Sequence, residues 1–245
     1  MKKDVLYLEH LSQYLYVQSI AKSTMIELKN VINEGISEYD IRVKAEDFMR
    51  EKGVNRFWYH GIGAFVHVGR RTKISESGKD YQPTETLVSR NDIVTVDLSP
   101  EFNACWGDYA RTFVVIDGEV ADEDALQNAA TPSASEFSHG IHTEKQLHKM
   151  FLDYAMPDMT FEEVYLYMNG VIQQLDYLNL DFSGNLGHTI EFNKKDRKYF
   201  ELGNKVKLSE ASFFTFEPHI KRKNGEYGFK REDIYYFRNG ELFVL

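Results

Sequence analysis

Two carboxylates bracket the segment VTVDLSPEFNACWGDYA, residues 94–110. A β-prone run ends on Asp97, and Asp108 lies on what reads as the return strand. A hairpin symmetric about Phe102–Asn103 sets Asp97 directly opposite Asp108. Opposed cross-strand side chains share a face with Cβ atoms roughly 5 Å apart, where like charges repel. The C-terminal segment repeats the pattern. Asn224-Gly225 is a strong two-residue turn signal, and reflection about it sets Glu217 in FFTFE opposite Glu232 in REDIYYF. An acid at a strand end is ordinarily a solvated edge. Two opposed pairs, each beside apolar residues, instead call for cations between them, because a buried carboxylate is costly unless paired or metal-bound.

His188, in SGNLGHTIEF, follows a glycine and precedes an apolar, strand-like run. Such a histidine alone is ordinarily a core residue. With the four acids it completes a set of expected metal ligands: Asp97, Asp108, His188, Glu217 and Glu232. Four carboxylates and an imidazole suit a pair of divalent ions (Mn, Fe, Co or Zn) rather than a structural thiolate zinc. Two such ions about 3.5–4 Å apart share a water, lower its pKa and clamp a carbonyl, so hydrolysis is the natural chemistry.

Positioning these residues requires strands between helices. Apolar positions recur at helical spacing from Tyr7 to about Val31, and Gly35 ends that helix; Ser37 with Asp40 opens a second helix to about Lys52. Strand-like sequence runs from Arg56 to about Ile116. Helical sequence returns between Pro132 and Tyr177, its second part opening on a Thr160–Glu163 capping box. The runs SFFTFEPHI, GFKREDIYYF and ELFVL are strands. Segregated blocks, in two halves of similar plan, indicate an α+β fold. No Pro/Gly/Ser-rich linker interrupts the chain, so residues 1–245 are expected to form a single domain.

The 245 residues, 42% hydrophobic and 27% charged, can bury a sizeable core. With a net charge of −9 and only short basic clusters (Lys194–Lys198, Lys221–Lys223), which read as solvated turns, no nucleic-acid partner is expected. Cys105 is the single cysteine, so an internal disulfide framework is excluded. Neither a signal-peptide core nor a run of ~20 apolar residues is present, and a cytoplasmic protein without membrane association is expected.

The stretches Val96-Asp97-Leu98, Gly107-Asp108-Tyr109-Ala110-Arg111-Thr112, Gly187-His188-Thr189-Ile190, Thr215-Phe216-Glu217-Pro218 and Lys230-Arg231-Glu232-Asp233 together resemble the pita-bread metallopeptidases, the family of methionine aminopeptidase, aminopeptidase P, prolidase and creatinase. The likeness runs from about residue 55 to the end, in the family's order. It implies the pita-bread fold, a pseudo-twofold antiparallel sheet flanked by helices. It also implies a dinuclear centre in which Asp97 chelates one metal, Asp108 and Glu232 bridge both, and His188 and Glu217 complete the coordination of the second metal. In that family's chemistry a bridging hydroxide attacks an N-terminal peptide bond, with Glu217 as proton shuttle. The Arg-Glu-Asp wording is closest to the aminopeptidase P–prolidase branch, which implies an Xaa-Pro peptidase, here as a minimal catalytic domain without that branch's extra N-terminal domain.

One departure bears on activity. The family carries a second histidine seven positions after the metal histidine, and this chain has Lys195 there. His219, on the strand face of Glu217 by alternation, is expected to take an electrophilic role. An upstream substrate-contacting histidine is either His60 or His67, and His60 is expected to line the pocket. The expected function is a metal-dependent aminopeptidase or dipeptidase acting on a peptide. An amide or amidine hydrolase of creatinase type and a catalytically silent peptide-binding module are the alternatives. His139, His142 and His148 read as a solvated helix face, and Trp58, Tyr59 and Trp106 as core or pocket wall. Gly61-Ile62-Gly63 lacks the helix and third glycine of a phosphate loop.

Overall fold

A computed structural model of the chain describes residues 2–129 and 133–245, with side chains from Leu11 onward. Helices Lys2–Leu28 and Glu38–Glu51 precede an antiparallel sheet of strands Ala64–Val68, Asp92–Leu98, Tyr109–Ile116 and Glu119–Val120, adjacent in that order. The Ser37 side chain accepts the Asp40 N–H and starts the second helix where the sequence places it. A similar plan follows. Helices Ala134–Tyr154 and Phe161–Gln174 lead into strands Phe214–Phe216, His219–Arg222, Gly228–Lys230 and Asp233–Arg238. The expected helix start at Pro132 lies outside the described residues. Thr160 and Glu163 form the anticipated reciprocal cap. No helix among the described residues is long and apolar enough to cross a membrane.

Strand alternation builds the layers and aims the acids. Val94, Val96 and Leu98 pack with Ile20, Leu28, Ile41 and Met49 of the first helices, which turns Asp97 to the opposite face. In the second half Phe214 and Phe216 pack among Phe137, Phe151, Phe161 and Met168, turning Thr215 and Glu217 away from those helices. A third cluster, including Val17, Trp106, Phe213 and Ile234, draws on both halves. The halves also meet through the backbone. The Glu232 N–H donates to the Ala110 carbonyl at 3.0 Å, and Arg111 donates to the Glu232 carbonyl and the Asp233 carboxylate, each at 2.7 Å. These bonds bring the two acid-bearing hairpins side by side.

One sequence reading needs correction. His139 and His142 are exposed, but His148 is buried, with Nδ1 2.7 Å from the Tyr235 hydroxyl and Nε2 3.0 Å from the Arg231 carbonyl. It shares a helix face with buried Glu144 and Phe151, at the three- and four-residue spacing that groups side chains on one side. Glu144 lies 2.8 Å from the Thr112 hydroxyl, which is also 3.0 Å from the Lys230 carbonyl. One hydroxyl proton cannot serve two acceptors, so a protonated Glu144 completes the bonding. Burial pushes Glu144 from its ordinary 4.5 up to about 7. A raised carboxyl stabilises the fold fully below pH 4.5, and that contribution is lost as pH rises through about 7. Glu144→Gln is therefore expected to remove on the order of 3 kcal/mol of pH-dependent stability loss, read as urea midpoints at pH 5 and pH 8. Parallel pH trends in variant and wild type would contradict this.

Candidate metal centre

The first acid pair forms in a shifted register. Asp97 lies opposite Ala110 and Leu98 opposite Tyr109, because the connection closes around Asn103 and Ala104, both with left-handed backbone (φ 49° and 62°). Asp108 is thus diagonal to Asp97 rather than opposite it. The shift is two residues, so both side chains keep one face, and diagonal neighbours remain within reach. The second pair keeps the expected register. Phe216 pairs with Asp233 and His219 with Lys230, which sets Glu217 opposite Glu232 between them.

The pairs converge. Carboxylate oxygens of Asp97, Asp108 and Glu232 lie within 4.8 Å of one another. His188 Nε2 lies 3.4 Å from Asp108 and 3.8 Å from Glu217 Oε1. The segment bearing His188 needs its glycine. Gly187 has φ +134°, and a Cβ there would sit 2.5 Å from the Thr215 carbonyl oxygen. The His188 N–H donates to the Thr215 hydroxyl at 3.0 Å. Its Nδ1 lies 3.1 Å from the Thr189 carbonyl, an acceptor that assigns the ring proton to Nδ1 and leaves the Nε2 lone pair facing the acids.

Electrostatics makes this cluster unfavourable on its own. Burial, then the Asp97 charge, holds Asp108 well above the usual carboxylate range. Burial, then Asp108 and Glu217, does the same to Glu232. Glu217 is pushed by burial to about 7, against the pull of Lys230 and His188. Burial lowers His188 and keeps it neutral. Both Glu232 oxygens are buried with no hydrogen-bond donor among the described residues. Buried acids facing one another, joined by a neutral imidazole, fit the oxygen-rich shell of divalent transition ions.

One cation is built in. Lys230 Nζ lies 2.5 Å from Asp97 Oδ2 and 3.3 Å from Glu217 Oε2. Burial alone would lower its pKa, but Asp97, Glu217, Glu232 and Asp181 outweigh burial and hold it well above its ordinary value. Sequence reading missed this residue, although it stands two positions before Glu232, the spacing that shares a strand face.

Beside these side chains opens a cavity of about 380 Å³, walled by Trp58, Tyr59, Phe65, Arg197 and Tyr199 and floored by Asp97, Asp108, His188 and Glu217. The histidines expected near it take different places. His60 is exposed on a left-handed turn (φ 54°) against Tyr59. His67 is buried, 2.8 Å from Glu76, and lines a smaller cavity with Asp97, Lys230 and His219. His219 is buried there too, with Nε2 2.7 Å from the Thr72 carbonyl. Lys195 is exposed on a short 3₁₀ turn. Trp106 is fully buried beneath the cavity wall, its ring centroid 4.4 Å from that of Trp58.

The sequence model of metallopeptidase family M24 matches residues 13–239. The methionine aminopeptidase of Helicobacter pylori strain J99 is 25% identical over 209 residues, covering 81% of this chain and 74% of that protein. Among solved structures, an X-Pro aminopeptidase from Thermotoga maritima superposes with a TM-score of 0.73 at 16% identity, over 96% of this chain and 60% of that one. Prolidase from Pyrococcus furiosus gives 0.71 at 18%, over 96% and 63%. The chain therefore spans about three fifths of the length of these structures. They share its fold, the pita-bread α+β architecture.

Proposed function

The chain belongs to metallopeptidase family M24, and from that premise we propose that it hydrolyses the N-terminal bond of short peptides, of Xaa-Pro type, with two divalent ions such as Mn. In this reading residues 1–245 act as one catalytic domain. Asp97, Asp108 and Glu232, whose carboxylate oxygens converge, would hold the ions together with His188 and Glu217 beside them. The observation that carries it is Glu232, fully buried, with two oxygens that have no hydrogen-bond partner among the described residues and with a second acid beside it. Only a cation relieves that arrangement with both groups ionised.

Bound ions would activate water and polarise the scissile carbonyl. The protein's own groups supply the rest. Glu217, pushed by burial to about 7, is suited to take a proton from water and return it to the leaving nitrogen. Trp58, Tyr59 and Phe65 offer an apolar wall for a proline ring, and a cavity of about 380 Å³ lies in the range that encloses small ligands. After dialysis against Mn the chain is expected to hold two equivalents. It should also cleave Xaa-Pro dipeptides faster than Met-Ala peptides, with creatine untouched. A preparation that cannot be loaded with metal, or turnover of creatine alone, refutes this reading.

A further inference from the structure

The limb that returns after His188 carries a cation into the cavity. Tyr199 stands opposite His188 in a β-bridge. The Thr189 N–H donates to the Lys198 carbonyl at 2.8 Å, and the Phe200 N–H donates to the Gly187 carbonyl at 2.9 Å. Side chains alternate along this limb, so Lys198 is exposed while Arg197 and Tyr199 line the cavity. The Arg197 guanidinium lies 4.6 Å from the Trp58 ring centroid, 5.8 Å from those of Tyr59 and Tyr199, and 6.0 Å from that of Trp106. Trp58 and Trp106 also pack on the His188 ring, each with centroids 5.8 Å apart. One aromatic wall therefore carries both the imidazole and the guanidinium.

Arg197 Nε is buried and has no acceptor among the described residues. Other groups near the site are already engaged. Lys230 is bound between Asp97 and Glu217, and His219 Nε2 is bonded to the Thr72 carbonyl. A permanently charged, planar donor held on aromatic rings suits a negatively charged oxygen.

We infer that Arg197 is a catalytic residue of this site, donating to the scissile carbonyl oxygen of the substrate and holding the charge that gathers there. The inference rests on the peptidase reading. As the water oxygen bonds to the carbonyl carbon, the C=O π pair moves onto the carbonyl oxygen and a water proton passes to Glu217. On collapse that pair re-forms C=O, the C–N bond breaks, and Glu217 returns the proton to the departing nitrogen. Arg197 neither gains nor loses a proton. It contributes most where the oxygen is most negative.

The test compares wild type, Arg197→Lys and Arg197→Met, all loaded with Mn and matched for metal content. A phosphinic dipeptide analogue, a stable tetrahedral anion, is titrated calorimetrically, and Xaa-Pro hydrolysis is followed alongside. Arg197→Met is expected to lose about 10²–10³-fold in phosphinate affinity and a similar factor in kcat, with KM within about threefold. Arg197→Lys should recover part of both. Unchanged phosphinate affinity overturns the inference. A loss confined to KM, seen for the free dipeptide but not its C-terminal amide, also overturns it, because Arg197 would then read the terminal carboxylate. If wild type cleaves no peptide yet binds the phosphinate in an Arg197-dependent way, the peptidase reading fails while the oxyanion-donor assignment stands.

Discussion

Glu232→Gln is expected to weaken metal binding at least about a hundredfold, the upper end of what loss of a group merely supporting a ligand costs. The same substitution is expected to make the metal-free protein more stable. Both effects follow from burial. The side chain is fully buried and its oxygens have no donor among the described residues. Without a cation, burial and the neighbouring Asp108 and Glu217 charges favour its neutral form. A carboxyl with a raised folded pKa destabilises the fold increasingly as pH climbs above the unfolded value. Glutamine is neutral at every pH and can donate to Asp108. In EDTA the variant should melt above wild type, with a gap that is wide at pH 8 and narrow at pH 5. In Mn the order should reverse, because only the carboxylate gains from the ions. Metal content after dialysis provides the second reading, and Asp108→Asn should behave alike. Retained metal stoichiometry removes Glu232 from the ligand set. A metal-free wild type that melts above the variant at pH 8 removes the repulsion argument.

How much of this was legible depended on whether a local signal fixed the answer. The Glu217–Glu232 register was readable because Asn224-Gly225 defines the turn and the pairing holds on both sides of the acids. The Asp97–Asp108 register was misjudged by two residues, since the left-handed positions are Asn103 and Ala104, and alanine gives no warning of such a backbone. The shared face survived because an even slip preserves strand parity. His148 could have been recognised as buried from its place on the stripe with Phe137, Glu144 and Phe151; the polar residues between them hid it. Arg197 was not readable. Within Lys194–Lys198 composition cannot say which cation turns inward, and the decision comes from the long-range bridge between His188 and Tyr199. That bridge also explains why counting seven residues from His188 lands on an exposed lysine. The return limb lies further along the chain, so the side chain that reaches the cavity is two positions later.

Lys230→Met is expected to be the most destabilising substitution at this site in the metal-free protein. The ammonium contacts one oxygen of each of two acids, Asp97 Oδ2 and Glu217 Oε2. The other Glu217 oxygen is the one that faces His188. Lys230 therefore sets the orientation of both carboxylates while leaving an oxygen of each for a divalent ion. Methionine approximates the volume but leaves the two charges without their partner. Breaking one side of a buried pair costs about 3–5 kcal/mol, which in a chain of this size lowers the melting temperature by about 6–20 °C. Burial would depress the lysine's pKa, but the surrounding acids raise it well above ordinary, so no titration of wild type near neutrality should mimic the variant. Mn supplies positive charge to the same acids, and the deficit should shrink once the ions bind. Loss of orientation should still weaken metal affinity by about 10–100-fold. Lys230→Arg keeps the charge and should recover most of both effects. Melts of the three proteins in EDTA and in Mn decide the matter. If Lys230→Met and wild type melt together in EDTA, the ammonium is not what holds Asp97 and Glu217 in place.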